Sequence, residues 1–524
     1  MIRLIKNLVQ ACFFIAALIM LSCAKQEPSD LAKASLIPKP VSVSSSGEYF
    51  SLKPGGDIFI SEDTEEMRKN AEFLANRLRI STGFKTDVVF SSRKPQSGSF
   101  VFSIDPAADL QGEEGYKLEI EKRIVKLIAK DPEGIFRGIQ TIRQLLPPKI
   151  EADSIQKGPW QIPTGVITDY PGYSYRGAMI DVSRHFFGPD VIKRVIDQIA
   201  YYKMNILHLH LSDDQGWRIE IKSWPNLAAH GGSTQVGGAK GGYYTQEEYS
   251  DLVKYAQDHY ITIVPEIDMP GHTNAALASY AELNSNGKAS ELYTGTRVGF
   301  STLDAGKELT YRFVDDVIRE LSALTPGPYF HIGGDESHAT KKEDYVLFIN
   351  KVQDLVEKHG KTVVGWDEIA TTTLKPGSVA HFWASEENAL KAVAQGARLI
   401  MSPAKKAYLD MKYHRETKLG LRWAGLIEVD TAYIWDPANY VPGIGREHIL
   451  GVEAPLWTET ITNTEEMDFM VFPRLPGYAE IGWTPAELRN WEDYKTRLGA
   501  HGAIFRVKGI NFYPSEKINW PAVE

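Results

Sequence analysis

Residues 329–337 read "YFHIGGDES": an apolar run that starts like a strand and stops at two glycines and two adjacent carboxylates. Glycine weakens a strand interior and neighbouring like charges repel, so neither feature favours folding on its own. The outline nevertheless recurs. After Tyr175 the runs "YRGAMIDVSR", "ILHLHLSD", "ITIVPEIDM", "TVVGWDEI", "SVAHFW", "RLIMSP" and "ILGVEAPLWTE" are also short and apolar, and most are separated by helical or loop segments. Eight strand-then-helix units predict an α/β fold, a (β/α)8 TIM barrel. Such a barrel keeps its chemistry at the C-terminal ends of its strands. Arg184, Asp213, Asp268, Asp335 with Glu336, Asp367 with Glu368, and Glu459 all stand at those ends.

Upstream the rhythm differs. Strand-like stretches ("DIFISED", "KTDVVF", "GSFVFSI", "YKLEIEKRIVKLIA") and two helical ones ("TEEMRKNAEFLANRLRIST", "PEGIFRGIQTIRQLLPP") predict a smaller α+β domain over 36–168, ahead of a barrel over 169–524. Residues 24–35 read as a linker. Residues 1–23 carry Arg3 and Lys6, then an apolar run from Leu8 to Leu21, then Cys23. That run is too short for a membrane span and a polar stretch follows at once, so it reads as a secretory signal. "MLSC" resembles a bacterial lipobox. The expectation is an exported lipoprotein, periplasmic or anchored at the outer membrane or cell surface through lipid on Cys23, with no other membrane contact.

Cys12 and Cys23 are the only cysteines, so the chain beyond them has no disulfide and no thiolate metal site. A length of 524 residues suits one barrel plus a smaller domain, and 43% hydrophobic with 24% charged residues suits a large buried core. A net charge of -9 without a long basic run argues against a nucleic-acid partner.

Adjacent residues on a regular strand face opposite ways, so Asp335 and Glu336 share a site only where the backbone turns. Gly333 and Gly334 supply that freedom. Two close carboxylates in a sheltered pocket have pKa values pushed apart, which leaves one protonated as general acid and one charged, as glycosidic bond cleavage requires. Trp366, Trp383 and Trp457 close strands at the same rim and would offer flat apolar walls to a sugar or its acetamido methyl. Trp217 and Trp435 fit packing or subsite roles equally well.

In order along the chain, "DVSRHF", "HLHLSDDQGWRIEI", "VPEIDMPGH", "HIGGDE", "GWDE", "AYLDM" and "EAPLWTE" resemble the β-N-acetylhexosaminidases of glycoside hydrolase family 20, and the α+β domain resembles the one that usually precedes that family's barrel. The resemblance implies an exo-acting, retaining enzyme that releases terminal β-linked N-acetylglucosamine or N-acetylgalactosamine. The substrate's own 2-acetamido oxygen would be the nucleophile, through an oxazolinium intermediate, and no cofactor or metal is implied. Glu336 matches the general acid and base, and Asp335 the residue that accepts the acetamido N–H. Tyr408 matches the hydroxyl that aligns the acetamido oxygen, and Trp366, Trp383 and Trp457 the box around its methyl. Arg184, Asp410 and Glu459 match ligands of the sugar hydroxyls, and Asp213 with His272 a relay that orients the acid. Asp268, His331, Asp214 and Glu368 fit support or packing. The expected partner is a small glycan.

Two rival readings exist. His208 and His210 form a His-x-His pair on one strand face, as in metal-dependent barrel hydrolases, but the seventh strand run holds no further ligand and the eighth only Glu453 and Glu459, so buried, hydrogen-bonded histidines are the better reading. A sugar-binding lipoprotein could also keep the fold without the chemistry.

Overall fold

The computed structural model describes residues 28–522; the stretch read above as a secretory signal, with Cys23, lies outside them. Seven strands form the N-terminal sheet: β1 (Ser42–Ser51), β2 (Ile58–Ile60), β3 (Val88–Val89), β4 (Ser99–Ile104), β5 (Tyr116–Ile120), β6 (Ile124–Ala129) and β7 (Gln161–Asp169). Their spatial order is β1-β7-β5-β6-β4-β2-β3, antiparallel from β1 to β6 and parallel from β6 to β3. The stretch read as one run over 116–129 is a hairpin that turns at 121–123. β1 and β7 were not anticipated. β1 is "SVSSSGEYFS" and lies largely open to solvent, so it has little of the alternation that marks a half-buried strand.

Helix Glu65–Thr82 is capped by the Thr64 side chain, which accepts from the Met67 N–H, and it stops at Gly83 in the left-handed region. Helix Pro132–Leu145 is buried along almost its whole length because it is wedged between sheet and barrel. From it Arg137 donates to the Met204 and Tyr260 carbonyls at the barrel base.

The eight apolar runs become eight parallel strands closed on themselves: β8 (Tyr175–Asp181), β9 (Ile206–His210), β12 (Thr262–Glu266), β13 (Tyr329–His331), β14 (Thr362–Trp366), β15 (Val379–Phe382), β16 (Arg398–Met401) and β17 (Ile449–Leu456). A small hairpin, β10 (Ser212–Asp213) with β11 (Gly216–Trp217), folds over the mouth after β9. The bottom of the barrel interior is an apolar layer that includes Ile206, Val264, Val364, Val379 and Ile400. Two residues further up three of these strands, the next layer is polar, with His208, Glu266 and His381, joined by His331 and Glu453. Gly177 makes room for it: a Cβ there would stand 2.6 Å from Glu453 Oε2.

Candidate active site

The glycines of the opening stretch are explained by what surrounds them. Gly333 and Gly334 have φ of +66° and +101°, and a Cβ on Gly333 would lie 1.8 Å from Asp268 Oδ1. That same oxygen accepts the Gly334 N–H at 3.1 Å. Asp268 therefore moulds the loop after β13 so that it turns out of the strand, and consecutive side chains can then face one cavity. Glu336 (φ +42°) and His272 (φ +53°) hold left-handed conformations that non-glycine residues avoid. Such strain costs about 1–3 kcal/mol per residue and gathers at functional sites.

His272 stands between the acids. Its Nδ1 is 3.1 Å from Asp213 Oδ1, while Nε2 lies 3.7 Å from Asp335 and 3.6 Å from Glu336. Asp213 also receives Arg184 Nη2 at 2.8 Å and His210 Nε2 at 2.8 Å. Burial opposes its charge, but Arg184 and His272 outweigh that and hold the carboxyl well below the usual range. Burial likewise opposes the His272 imidazolium, and Asp213, Asp335 and Asp268 overcome it, so its pKa rises well above the ordinary value. Asp181, which the sequence reading did not single out, accepts the Ser183, Arg184 and Thr458 N–H groups as well as the Thr458 hydroxyl. It ties the end of β8, with Arg184, to the end of β17, beside Trp457 and Glu459.

The two catalytic candidates titrate in opposite directions, but not in the sense the mechanism needs. Burial, followed by the charge of Asp268, pushes Asp335 well above the normal carboxyl range. Glu336 is held below its ordinary value: burial raises it, and the nearby charge of His272, whose Nε2 is 3.6 Å away, more than offsets that. Asp268 itself is pushed up to about 7, chiefly by burial. In the free site, therefore, the proton favours Asp335 and Glu336 is the carboxylate.

Around this pair lies a cavity of about 250 Å³ lined by Arg184, Asp335, Glu336, Trp383, Tyr408, Asp410, Trp457 and Glu459, with Thr296, Val298, Leu421 and Trp423. Trp366 sits one layer deeper, stacked on His381 with centroids 4.2 Å apart. Two tryptophans are held by their indole N–H groups: Trp366 donates to Glu266 Oε1 at 2.9 Å and Trp383 to Glu368 Oε2 at 3.0 Å. Neighbouring Asp367 accepts the backbone N–H groups of Trp383, Ala384 and Ser385 and so fixes the same wall. Asp214 accepts from Ser301 and from the Asn274 N–H, which secures the loops beneath the mouth. Trp217 and Trp435 donate to local carbonyls, those of Ile219 and Ala432, which places both in packing roles.

Thr296, Val298, Leu421 and Trp423 were not foreseen. They belong to the long loops over 281–305 and 412–447, which have no period to read. Trp423 is 57% exposed, edge-on to both Trp383 and Tyr408; an exposed tryptophan against two site aromatics is the signal that tertiary structure adds.

The His-x-His pair lies below this cavity. Both His210 nitrogens are engaged by carboxylates, Glu266 at 2.6 Å and Asp213 at 2.8 Å, and His208 Nδ1 by Glu453 at 2.8 Å. Burial lowers the His208 pKa, but Glu453 and Glu266 outweigh it and set it at about 9. The pair is thus built into a buried charge network.

The model of the glycosyl hydrolase family 20 catalytic domain matches residues 173–347 and 338–486, and that of the family's domain 2 matches 33–170. A β-N-acetylhexosaminidase of Cellulomonas fimi is 37% identical over 490 residues, covering 93% of this chain and 97% of that protein. The solved N-acetyl-β-hexosaminidase of Streptomyces plicatus, in complex with Thio-NAglucal, superposes with a TM-score of 0.91 at 50% identity, covering 94% of this chain and 99% of its own. An exo-β-N-acetylglucosaminidase from Vibrio harveyi in complex with N-acetylglucosamine gives a TM-score of 0.79 at 30% identity, over 93% of this chain and 80% of its own.

Proposed function

The chain belongs to glycosyl hydrolase family 20, and from that premise we propose how its residues carry out the family's reaction. It is a glycoside hydrolase, a β-N-acetylhexosaminidase that removes terminal β-linked N-acetylhexosamine from glycans with retention. The observation that carries the reading is the convergence of Asp335 and Glu336 on His272 at the edge of an aromatic-walled cavity of one-sugar size.

In the first step the acetamido oxygen attacks C1 as the bond from C1 to the leaving oxygen breaks. Glu336 gives that oxygen its proton, and Asp335 accepts the acetamido N–H and stabilises the positive charge that builds on the oxazolinium ring. Tyr408 donates to the acetamido oxygen and keeps it in line, and Trp366, Trp383 and Trp457 confine the methyl. In the second step water attacks C1, Glu336 takes its proton, and the bond from C1 to the acetamido oxygen reopens. Arg184, Asp410 and Glu459 bind the sugar hydroxyls; both Asp410 carboxyl oxygens and Glu459 Oε2 are buried without a hydrogen-bond partner among the described residues.

The proton order of the free site must reverse when substrate arrives, and the ligand supplies the means. A donated acetamido N–H favours the charged form of Asp335. A sugar covering Glu336, whose side chain is 31% exposed, desolvates it and raises its pKa. Binding would thus move the proton from the residue that must be charged to the one that must donate.

Hydrolysis of aryl β-glycosides of N-acetylglucosamine, N-acetylgalactosamine and glucose, with a chelator present, tests this reading. Turnover of the acetamido sugars but not of glucose supports substrate assistance, and equal turnover of glucose refutes it. For the leader, we propose lipid attachment at Cys23; loss of radiolabelled palmitate from a Cys23→Ala variant is the expected result.

A further inference from the structure

The side chains that would hold the sugar's reacting atoms also have the makings of a metal site. His272 Nδ1 is bound to Asp213, as in the carboxylate–histidine–zinc arrangement in which an outer carboxylate orients the ring and strengthens its other nitrogen as a donor. That other nitrogen, Nε2, is buried, aimed at the acids, and without a hydrogen-bond partner among the described residues; Asp335 Oδ1 is likewise unpartnered. Nε2 stands 3.7 Å from Asp335 Oδ2 and 3.6 Å from Glu336 Oε2, and all three atoms lie within 4.8 Å of one another. Zinc bonds to nitrogen and oxygen of about 2.0–2.2 Å place two ligands of a tetrahedron about 3.3–3.5 Å apart. Each carboxylate oxygen needs to close on Nε2 by only a few tenths of an ångström, and the two acids stand within 4.8 Å of each other before any ion draws them in. Glu336 is partly exposed at the cavity mouth, which leaves an entry path and room for water as fourth ligand.

We propose that His272 Nε2, Asp335 Oδ2 and Glu336 Oε2 bind one divalent cation of the zinc class, and that this ion blocks the enzyme because it occupies the atoms the substrate needs. The ion is an inhibitor and takes no part in hydrolysis. Coordination needs Nε2 and both carboxylates free of protons, so the ion displaces the protons held there and binds more tightly as pH rises; the inhibition rests on the hydrolase reading above.

Titration of the chelator-stripped full chain with zinc chloride in a calorimeter should show one equivalent bound, displaced by excess N-acetylglucosamine. His272→Ala should weaken zinc at least tenfold, and Asp213→Asn, which removes the outer carboxylate, about 10–100-fold. Cobalt(II) added to the unaltered protein should give the visible bands of a four-coordinate site that fade when N-acetylglucosamine is added, a measurement independent of any variant's folding. In turnover assays zinc should raise the apparent KM and leave kcat unchanged. No zinc uptake, unchanged affinity in a folded His272→Ala chain, or simultaneous binding of zinc and sugar would each overturn the proposal. Because the calorimetric and optical readouts need no turnover, their failure is distinct from failure of the hydrolase reading.

Discussion

The barrel buries charge at both ends, and the two ends treat it differently. At the base, Arg176 donates through all three guanidinium nitrogens, to the Lys203 and Tyr173 carbonyls and to Glu114, which also receives Arg137. Lys203 is held by Asp169 and Tyr116 at 2.9 and 2.8 Å. Every one of these groups has its partners within the protein. At the mouth, Asp335, Asp410, Glu459 and His272 keep buried polar atoms with no partner among the described residues. A buried, unpaired polar group costs stability. A satisfied charge cluster therefore marks a joint between domains, and an unsatisfied one marks where a ligand belongs.

The sharpest way to break this contrast is at Glu336. Glu336→Gln should lower kcat on a sugar leaving group by roughly 10²–10⁴-fold, with a far smaller loss on an activated aryl leaving group and little change in the melting temperature. Equal losses on both substrates would deny it the acid role. The counterpart at the base is Arg176→Met, which strands Glu114 with one cation fewer. Unfolding free energy should fall by about 3–5 kcal/mol while kcat of the folded fraction stays as it was; a drop in kcat without a drop in stability would erase the distinction between the two ends.

Between the ends, the His208–Glu453 pair makes stability depend on pH. His208 is raised from 6.5 to about 9, so its contribution is complete below about pH 6.5 and disappears as pH rises through 9. Glu453 is lowered from 4.5 to about 2, so its contribution is complete above 4.5 and is lost as pH falls through 2. Scanning calorimetry should find greatest stability from this pair between about pH 4.5 and 6.5, and an alkaline loss of about 3 kcal/mol that flattens in His208→Gln. An unaltered alkaline slope in that variant would place the titration elsewhere.

The smallest expected effect is a shift of a pH profile. Asp268 raises the Asp335 pKa by its charge, and Asp268→Asn keeps an oxygen for the Gly334 N–H while removing that charge. The acidic limb of kcat/KM should move to lower pH. A shift to higher pH would mean that Asp335 is not the group being titrated.

The amino-acid sequence alone determined the barrel, its eight strand positions and the order of the polar residues that close them, because strand period and strand-end chemistry are local properties of ten or so residues. It also placed Asp335 beside Glu336 behind two glycines. Tertiary structure decided what those residues are. The proton order of the acids depends on Asp268 and His272, brought in from the loop after β12. The orientation of Trp366 and Trp383 depends on Glu266, a full hundred residues from Trp366 in the chain, and on Glu368. Trp423 and its neighbours reach the cavity from loops without a period, and solvent-exposed β1 joins its sheet through pairing with β7. Local patterns say where a side chain can point, whereas its charge, tautomer and partners are set by groups that only the closed barrel brings within a few ångströms.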